Sequence, residues 1–230
     1  MRLSRWDANG NVYLLAERAE LTPERARAEV GDADGIVEVV AVTDNSAEVV
    51  IWNPDGSTAE LSGNGTRIAA AWLAERSGAT DVVVRVGARE VRARMLADGL
   101  VEQELGAVEV GEPERVDGIE LTPVSVGNPH AVVLGDPGEL ERIGPLLETH
   151  ARFPQRTNVQ VARVDAPGEV TARVWERGVG ETASSGTSAV AVAAATHGEG
   201  EVVVHFPGGD LRVRLARGRA WLTGPATRVG

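Results

Sequence analysis

The sequence contains two alanine-rich segments that each begin with a Ser-Gly step: LSGNGTRIAAAWLAERS at residues 61–77 and SSGTSAVAVAAATH at residues 184–197. Serine is a favoured helix N-cap and glycine a common helix end, so helices are predicted over residues 64–77, ending at Gly78, and 187–197, ending at Gly198. Neither helix has a polar face, and a helix that is apolar all round is buried. Each is therefore predicted to be the axis of its own sheet-wrapped domain.

Short valine-rich runs bounded by Gly, Pro, Asp or Asn surround these helices and are predicted to be strands. They cover residues 36–42, 47–52, 81–86, 90–95, 101–110, 130–134, 159–164, 169–175, 201–206, 211–215 and 220–222. Two further helices are predicted. One has Thr22 as its cap, Pro23 at its first position and its end at Val30, and the other covers residues 137–153 with a break at Pro145.

These features occur twice in the same order, which indicates an internal duplication with a period near half the chain. Gly10-Asn11 corresponds to Gly127-Asn128, and the two Ser-Gly steps correspond to each other. The predicted fold class is α/β (α+β) with two pseudo-symmetric domains, each a bent mixed or antiparallel sheet wrapped around its alanine-rich helix. The predicted domains are residues 1–112 together with 223–230, and residues 113–222. Two such halves facing each other would form a cleft, the usual place for a ligand.

Composition excludes several classes of protein. The chain has 230 residues, of which none is Cys, and all 23 basic residues are Arg. Disulfides, thiolate nucleophiles, Schiff-base lysines and Walker lysines are therefore excluded. A net charge of −11 argues against nucleic acid or an anionic membrane as partner. No apolar run approaches the ~20 residues of a membrane span, and no signal peptide is recognisable, so a cytoplasmic protein is expected. His150, His197 and His205 lack metal-ligand spacing, and no metal is assigned.

The paired Ser-Gly turns suggest a chemical arrangement. Each helix N-terminus offers backbone N–H groups and a positive dipole end, so two of them aimed into one cleft would clamp a carboxylate. Ser62 and Ser185 would then face each other from opposite sides of the carbon next to that carboxylate. This geometry allows a proton to be removed from one face and returned to the other.

Five ordered motifs resemble those of the diaminopimelate epimerase family. The first is Asn53-Pro-Asp-Gly-Ser-Thr-Ala-Glu-Leu-Ser-Gly-Asn-Gly-Thr-Arg67, and Asn11 follows Gly10 as in the family's N-terminal motif. The later ones are Gly127-Asn-Pro-His130, Arg152-Phe-Pro-Gln-Arg-Thr-Asn158, Trp175-Glu-Arg-Gly-Val-Gly-Glu-Thr-Ala-Ser-Ser-Gly-Thr187 and Leu222-Thr-Gly-Pro-Ala-Thr227. The resemblance covers essentially the whole chain.

This resemblance implies an isomerase without pyridoxal or any other cofactor, which interconverts LL- and meso-diaminopimelate on the route to lysine and cell wall. It places the proton donor and acceptor at Ser62 and Ser185, with His130 and Glu176 as tuning groups. Because family members are commonly homodimers, it also implies a homodimer. The substrate-binding residues it implies are Asn11, Asn53, Gly63, Asn64, Asn128, Asn158, Glu176, Arg177, Gly186 and Thr187. Arg177 has the fork geometry that suits a carboxylate, and Glu176 can hold an ammonium group.

The chain departs from the family at the chemistry itself, since both catalytic cysteines of the family are serines here. Gly35 also stands where the family usually has Gln. The serines are either an engineered pair or a natural feature of a Cys-free lineage. Three other functions are considered: a non-catalytic binding paralogue, another isomerase or dehydratase of the superfamily, and a serine hydrolase. Asn158 and the Glu176-Arg177 pair argue against proline-type substrates, and the absence of a Gly-x-Ser-x-Gly elbow argues against a hydrolase.

Overall fold

A computed structural model of the chain describes residues 1–229. Within them the helices are α1 Pro23–Glu29, α2 Gly63–Ser77, α3 Leu140–Glu148 and α4 Gly186–His197, with a 3-10 turn at Pro137–Glu139. The strands are β1 Arg2–Ala8, β2 Asn11–Glu17, β3 Gly35–Val42, β4 Ser46–Trp52, β5 Asp81–Val86, β6 Arg89–Met95, β7 Leu100–Ala107, β8 Glu109–Val110, β9 Glu114–Val116, β10 Ile119–Ser125, β11 Pro129–Leu134, β12 Asn158–Ala166, β13 Glu169–Glu176, β14 Gly180–Thr182, β15 Gly200–Phe206, β16 Gly209–Ala216, β17 Arg219–Pro225 and β18 Thr227–Arg228.

The chain divides by its contacts into two compact units. The N-terminal unit contains residues 1–104 together with the segment that begins at Thr223, and the C-terminal unit contains residues 105–222. Strand β18 returns to the N-terminal unit by pairing with β1. The domain boundary placed after Glu112 from the sequence stays a prediction.

The sheet of the N-terminal unit has a regular alternation of strand directions. The pairings β1–β2, β3–β4 and β5–β6 are antiparallel, whereas β2–β3 and β4–β5 are parallel. Parallel neighbours need a crossover connection, which α1 and α2 supply. Strand β7 adds to β6 in antiparallel fashion.

The C-terminal unit repeats this pattern. The pairings β10–β11, β12–β13 and β15–β16 are antiparallel, and β11–β12 and β13–β15 are parallel. Helices α3 and α4 take the places of α1 and α2 between the parallel strands, and β14 is an additional short strand beside β13. The register shifts at Val39/Ala41 and at Val164/Ala166, at the same place in both units.

Helices α2 and α4 occupy the cores of their units. Residues 63–73 of α2 and 186–193 of α4 are all buried. In the N-terminal unit, Ile68 and Leu73 join a cluster with Val37, Ile51 and Val84 from the surrounding strands. A helix without a polar face is stable only in such an enclosure. The predicted fold class, two repeated sheets around alanine-rich helices, is confirmed.

Two local predictions need correction. Helix α3 is not broken at Pro145 but continues through it to Glu148, and it ends there rather than at Phe153. Pro145 has no N–H to donate to the carbonyl of Glu141, and Glu141 is an exposed residue. The strands that were not predicted from the sequence are β1, β2 and β10 and the short β9, β14 and β18. Strand β2 has the composition NVYLLAE, rich in helix formers, and β10 contains Pro123, so neither carries a clear strand pattern.

Candidate functional site

In the N-terminal unit, Ser62 lies at the start of α2 in an extended conformation with φ −128° and ψ 119°. It caps the helix, because its Oγ accepts a hydrogen bond from the Gly65 N–H at 3.1 Å. The Tyr13 hydroxyl on β2 lies 3.4 Å from the same Oγ. The serine turn is thus joined to the neighbouring strand through its side chain.

Behind this turn, buried polar groups fix the first residues of α2. The Gln103 amide donates to the Gly63 carbonyl at 2.7 Å and accepts from the Thr66 hydroxyl at 3.0 Å. Arg67 is fully buried and donates to the Asn64 Oδ1 at 2.9 Å and to the Pro225 carbonyl at 2.8 Å. Burial lowers the pKa of Arg67 to about 10, against the opposing effect of charge on Tyr13 and Asp7, so Arg67 is a cation at neutral pH.

In the C-terminal unit, Ser185 holds the equivalent position at the start of α4 with φ −147° and ψ 126°. Unlike Ser62 it makes no side-chain cap. Its hydroxyl instead donates to the Glu176 Oε2 at 3.4 Å, and the Thr182 hydroxyl donates to the other oxygen of that carboxylate at 2.6 Å. Ser185 is only 4% exposed, whereas Glu176 is half-buried, so the serine is largely out of water.

His130 is buried beside this turn, with both ring nitrogens engaged by amide side chains. Its Nε2 lies 3.0 Å from the Asn128 Oδ1, and its Nδ1 lies 3.0 Å from the Gln160 Nε2. Gln160 also donates to the Ser188 hydroxyl on α4, and Asn128 donates to Thr187. Burial lowers the pKa of His130 to about 3, opposed by the Gln160 hydrogen bond and assisted by the Arg177 charge, so the imidazole is neutral at neutral pH.

The turn that carries Glu176 and Arg177 is held in place by two polar side chains. The Asn158 Oδ1 accepts from the Arg177 backbone N–H at 3.0 Å, and the Asn158 Nδ2 donates to the Pro129 carbonyl at 2.9 Å. Glu148, at the end of α3, accepts from the Gly178 N–H at 2.6 Å and from the Trp175 indole at 2.9 Å. The Arg156 guanidinium also bonds to this carboxylate. Gly144 allows α3 to pack closely against Trp175 on β13, because a Cβ at residue 144 would lie 2.8 Å from the Trp175 side chain.

The remaining predicted residues lie at the start of β2, after β4, or in the first turns of α2 and α4. Asn11 is buried at the start of β2, two residues before Tyr13. Asn53 follows β4 and donates to the Ser57 hydroxyl at 2.9 Å, which is turn chemistry. The Asn64 side chain supports Arg67. Gly63, Gly186 and Thr187 lie in the first turns of the helices, where backbone N–H groups have no partner within the helix.

In the C-terminal unit, the structure joins most of the predicted residues into three hydrogen-bonded groups. Hydrogen bonds join Asn128 to His130 and to Thr187, Asn158 to Arg177, and Glu176 to Ser185. In the N-terminal unit Ser62 lies in the first turn of α2 with Gly63 and Asn64.

Sequence reasoning missed several polar residues that shape these turns. They are Tyr13, Gln103, Glu148, Gln160 and Thr182. Gln103 and Gln160 sit inside strands predicted as apolar, and each is fully buried. A glutamine at a core position of a strand is the one indication that could have singled them out, because a buried amide needs partners.

Chemically, each unit offers a serine hydroxyl at the start of a buried helix, beside backbone donors that favour an anion. The C-terminal unit adds a carboxylate and a guanidinium on adjacent residues. Among residues 1–229 no group of three or more His, Asp or Glu is placed to hold a metal ion. Across the same residues, none of the helices combines the length and apolarity that a bilayer crossing requires.

Comparisons with known proteins agree with this architecture. A family model described as diaminopimelate epimerase matches residues 122–229. Among solved structures, a predicted epimerase from Pseudomonas aeruginosa has a TM-score of 0.80 at 16% identity, covering 100% of this chain and 97% of its own. A hydroxyproline epimerase from Agrobacterium vitis has a TM-score of 0.71 at 15% identity, covering 99% of this chain and 89% of its own. At these identities the structures show a shared fold.

Curated relatives extend the match to nearly the whole sequence. A diaminopimelate epimerase from Desulforudis audaxviator is 37% identical, over 86% of this chain and 82% of the relative. One from Synechococcus elongatus is 34% identical, over 100% of this chain and 96% of the relative. With identity at this level along its full length, the chain belongs to the diaminopimelate epimerase family, a family of isomerases.

Proposed function

We propose that this chain interconverts LL- and meso-diaminopimelate by cofactor-free proton transfer, with serines at both proton-transfer positions. The observation that carries the proposal is the repeated serine turn: Ser62 and Ser185 begin the two buried helices in equivalent extended conformations. A two-base epimerisation needs one such group on each face of the substrate α-carbon, so the proposal includes the approach of both turns to one carbon. A role in lysine synthesis, a cytoplasmic location and a homodimer are further parts of it.

The C-terminal unit supplies the groups that the distal end of the substrate needs. Diaminopimelate carries a second amino acid group, which requires a cation for its carboxylate and acceptors for its ammonium. Arg177 provides the cation and Glu176 the acceptor, while Asn158 fixes the Arg177 backbone and retains capacity for one more hydrogen bond at each end of its amide. Substrates without a distal group would leave these polar residues unmatched, which favours diaminopimelate over proline-type substrates.

Serine in place of cysteine lowers the expected rate. A thiol titrates at about 8.5, whereas a hydroxyl resembles water at about 15.7, a gap of ~7 units or ~10 kcal/mol. The stronger base recovers about half of this by Brønsted compensation, which leaves ~5 kcal/mol, or roughly 10³–10⁴ in rate. We therefore expect slow epimerisation by the chain as written.

A non-catalytic diaminopimelate-binding protein is the second candidate, favoured by the same two serines. One experiment separates the two functions. The purified chain is incubated with LL-diaminopimelate in deuterium oxide, and both the formation of the meso isomer and α-carbon deuterium are measured over days, alongside binding by calorimetry. Slow interconversion with deuterium uptake supports the enzyme. Binding without exchange identifies the binding protein, and no binding contradicts both.

A further inference from the structure

Tyr13 is the only tyrosine of the chain, and its hydroxyl points at the N-terminal serine. The Oη atom lies 3.4 Å from the Ser62 Oγ. Hydrogen bonds between acid–base groups are often this long in a protein without its substrate and shorten when the substrate binds. The contact joins the proposed proton-transfer position to a phenol.

The backbone around Tyr13 fixes the direction of its ring. Tyr13 on β2 pairs with Gly35 on β3, and a Cβ at Gly35 would lie 2.6 Å from the ring Cε1. The same Cβ would lie 2.7 Å from the Trp52 carbonyl oxygen. Only glycine leaves room for the ring here, so Gly35 and Tyr13 form a matched pair that carries the hydroxyl to Ser62.

Ser62 can donate to Tyr13 once the phenol is ionised. The Oγ accepts the Gly65 N–H, and either hydroxyl can donate across the 3.4 Å contact while both are protonated. A Tyr13 phenolate has no proton of its own, so Ser62 is then the donor. A phenol titrates at about 10, far below the ~15.7 of water, so a phenolate exists at pH values where a serine alkoxide does not. Arg67 on α2 interacts electrostatically with Tyr13 and with Asp7 on β1, and Asp7 in turn interacts with Asp34 before β3.

We propose that Tyr13 is the proton-relay partner of Ser62: as the substrate is deprotonated, Ser62 takes the α-proton and passes its own hydroxyl proton to the Tyr13 phenolate. The C–H bond breaks and its electron pair stays on the α-carbon, while the original Ser62 O–H bond also breaks. A new O–H bond forms on Ser62 with the α-proton, and another forms on Tyr13 with the former serine proton. Protonation from this side reverses these steps. Because Tyr13 acts through Ser62, it is a positioning residue, and the inference rests on the proposed function.

The test uses Tyr13→Phe, which keeps the ring over Gly35 and removes only the hydroxyl. The rate of α-deuterium exchange in diaminopimelate is measured from neutral to alkaline pH in the wild type and the variant, with thermal unfolding as the check on folding. We expect the wild-type rate to rise with pH toward about 10. In the variant we expect the rate to fall about 10- to 100-fold and the alkaline rise to disappear. Exposed Thr80→Val, which also removes one hydroxyl, should match the wild type.

A second measurement needs no turnover. Since no other tyrosine is present, the near-ultraviolet absorbance of tyrosinate reports Tyr13 alone. Ser62→Ala removes the donor to the phenolate, so the titration midpoint should move to higher pH. An active wild type with an equally active Tyr13→Phe would overturn the relay and leave the proposed function intact. A wild type without exchange would overturn the proposed function, and an unmoved midpoint in Ser62→Ala would overturn the contact itself.

Discussion

The two serine turns have the same backbone but different chemical partners. Ser62 caps its helix and faces a phenol, whereas Ser185 leaves its helix uncapped and faces a carboxylate. Each turn is also tied to a buried glutamine, Gln103 through the Gly63 carbonyl and Gln160 through Ser188. The comparison shows that the duplication is retained in the scaffold and not in the groups that would move protons. Under the proposed function, the two turns would therefore supply different acid–base groups.

The largest expected effect comes from restoring thiols at both turns. Ser62→Cys with Ser185→Cys should raise the epimerisation rate by roughly 10³–10⁴, because a thiol near a helix N-terminus ionises close to neutral pH. Either single change should gain much less, since each direction of the reaction uses both groups. The measurement is LL/meso interconversion together with α-deuterium uptake. If the wild type is already fast and the double cysteine variant is slower, this lineage uses a different mechanism.

Replacing Arg177 tests the proposed binding of the distal carboxylate, for which the N-terminal turn has no equivalent residue. Arg177→Ala should weaken diaminopimelate binding by about 1.5–3 kcal/mol, the usual value of a charge-assisted hydrogen bond. An amino acid with one carboxylate and no distal group should lose far less. Calorimetry with both ligands makes the comparison, and equal losses would place Arg177 away from the distal group.

Glu148 tests how the C-terminal turn is held. In both units a tryptophan indole at the end of a strand donates to a largely buried carboxylate: Trp52 to Glu38 within the sheet, and Trp175 to Glu148 on α3. Glu148 also accepts from Gly178 and Arg156, so Glu148→Gln should lower the free energy of unfolding by about 1–3 kcal/mol.

Glu38→Gln is the matched control, because Glu38 accepts from the Leu21 N–H and the Trp52 indole and the structure gives it no arginine partner. In denaturant titrations, Glu38→Gln should lower the free energy of unfolding by less than Glu148→Gln does. Only Glu148→Gln should also weaken diaminopimelate binding, since Glu148 holds the residue after Arg177. If both variants change diaminopimelate binding equally, Glu148 does not support the binding site.

The most gradual effect concerns acid sensitivity, which His130 gives to the C-terminal unit. With a folded-state pKa of about 3 and an unfolded value near 6.5, the unfolded chain binds the extra proton between these pH values. Stability therefore falls as pH drops below 6.5, by up to about 1.4 kcal/mol per pH unit for this one group. His130→Gln should flatten that part of the stability curve in denaturant titrations. A curve that keeps its slope would assign the acid sensitivity to other groups.

The sequence predicted the parts of the molecule that follow from local pattern. The alanine-rich helices, their Ser-Gly starts and most valine-rich strands lie close to the predicted bounds, because capping and composition are local properties. Strand β2 was missed because its residues favour a helix in isolation and form a strand only between β1 and β3. The pairing of Tyr13 with Gly35 was invisible for the same reason, since 22 residues of sequence separate two positions that the parallel register makes neighbours.

Similarly, the roles of Glu148 and Gln160 depend on tertiary contacts. Glu148 on α3 bonds to Trp175 and Gly178, and Gln160 on β12 bonds to His130 and Ser188. The sequence suggested His130 as a tuning group, yet its protonation state follows from complete burial between two amides, which no local pattern encodes. The motif residues were found by resemblance, while their supporting residues required three-dimensional contacts.

The enclosure of α2 and α4 also determines how the serine turns can move. A turn that leads into a helix whose first turns are completely buried cannot swing away unless the core of its unit opens. The first-turn amides of both helices should therefore exchange with deuterium only at rates close to those of global unfolding. Many enzymes carry their reactive groups on mobile lids, but here we expect Ser62 and Ser185 to lie at the most protected part of each unit.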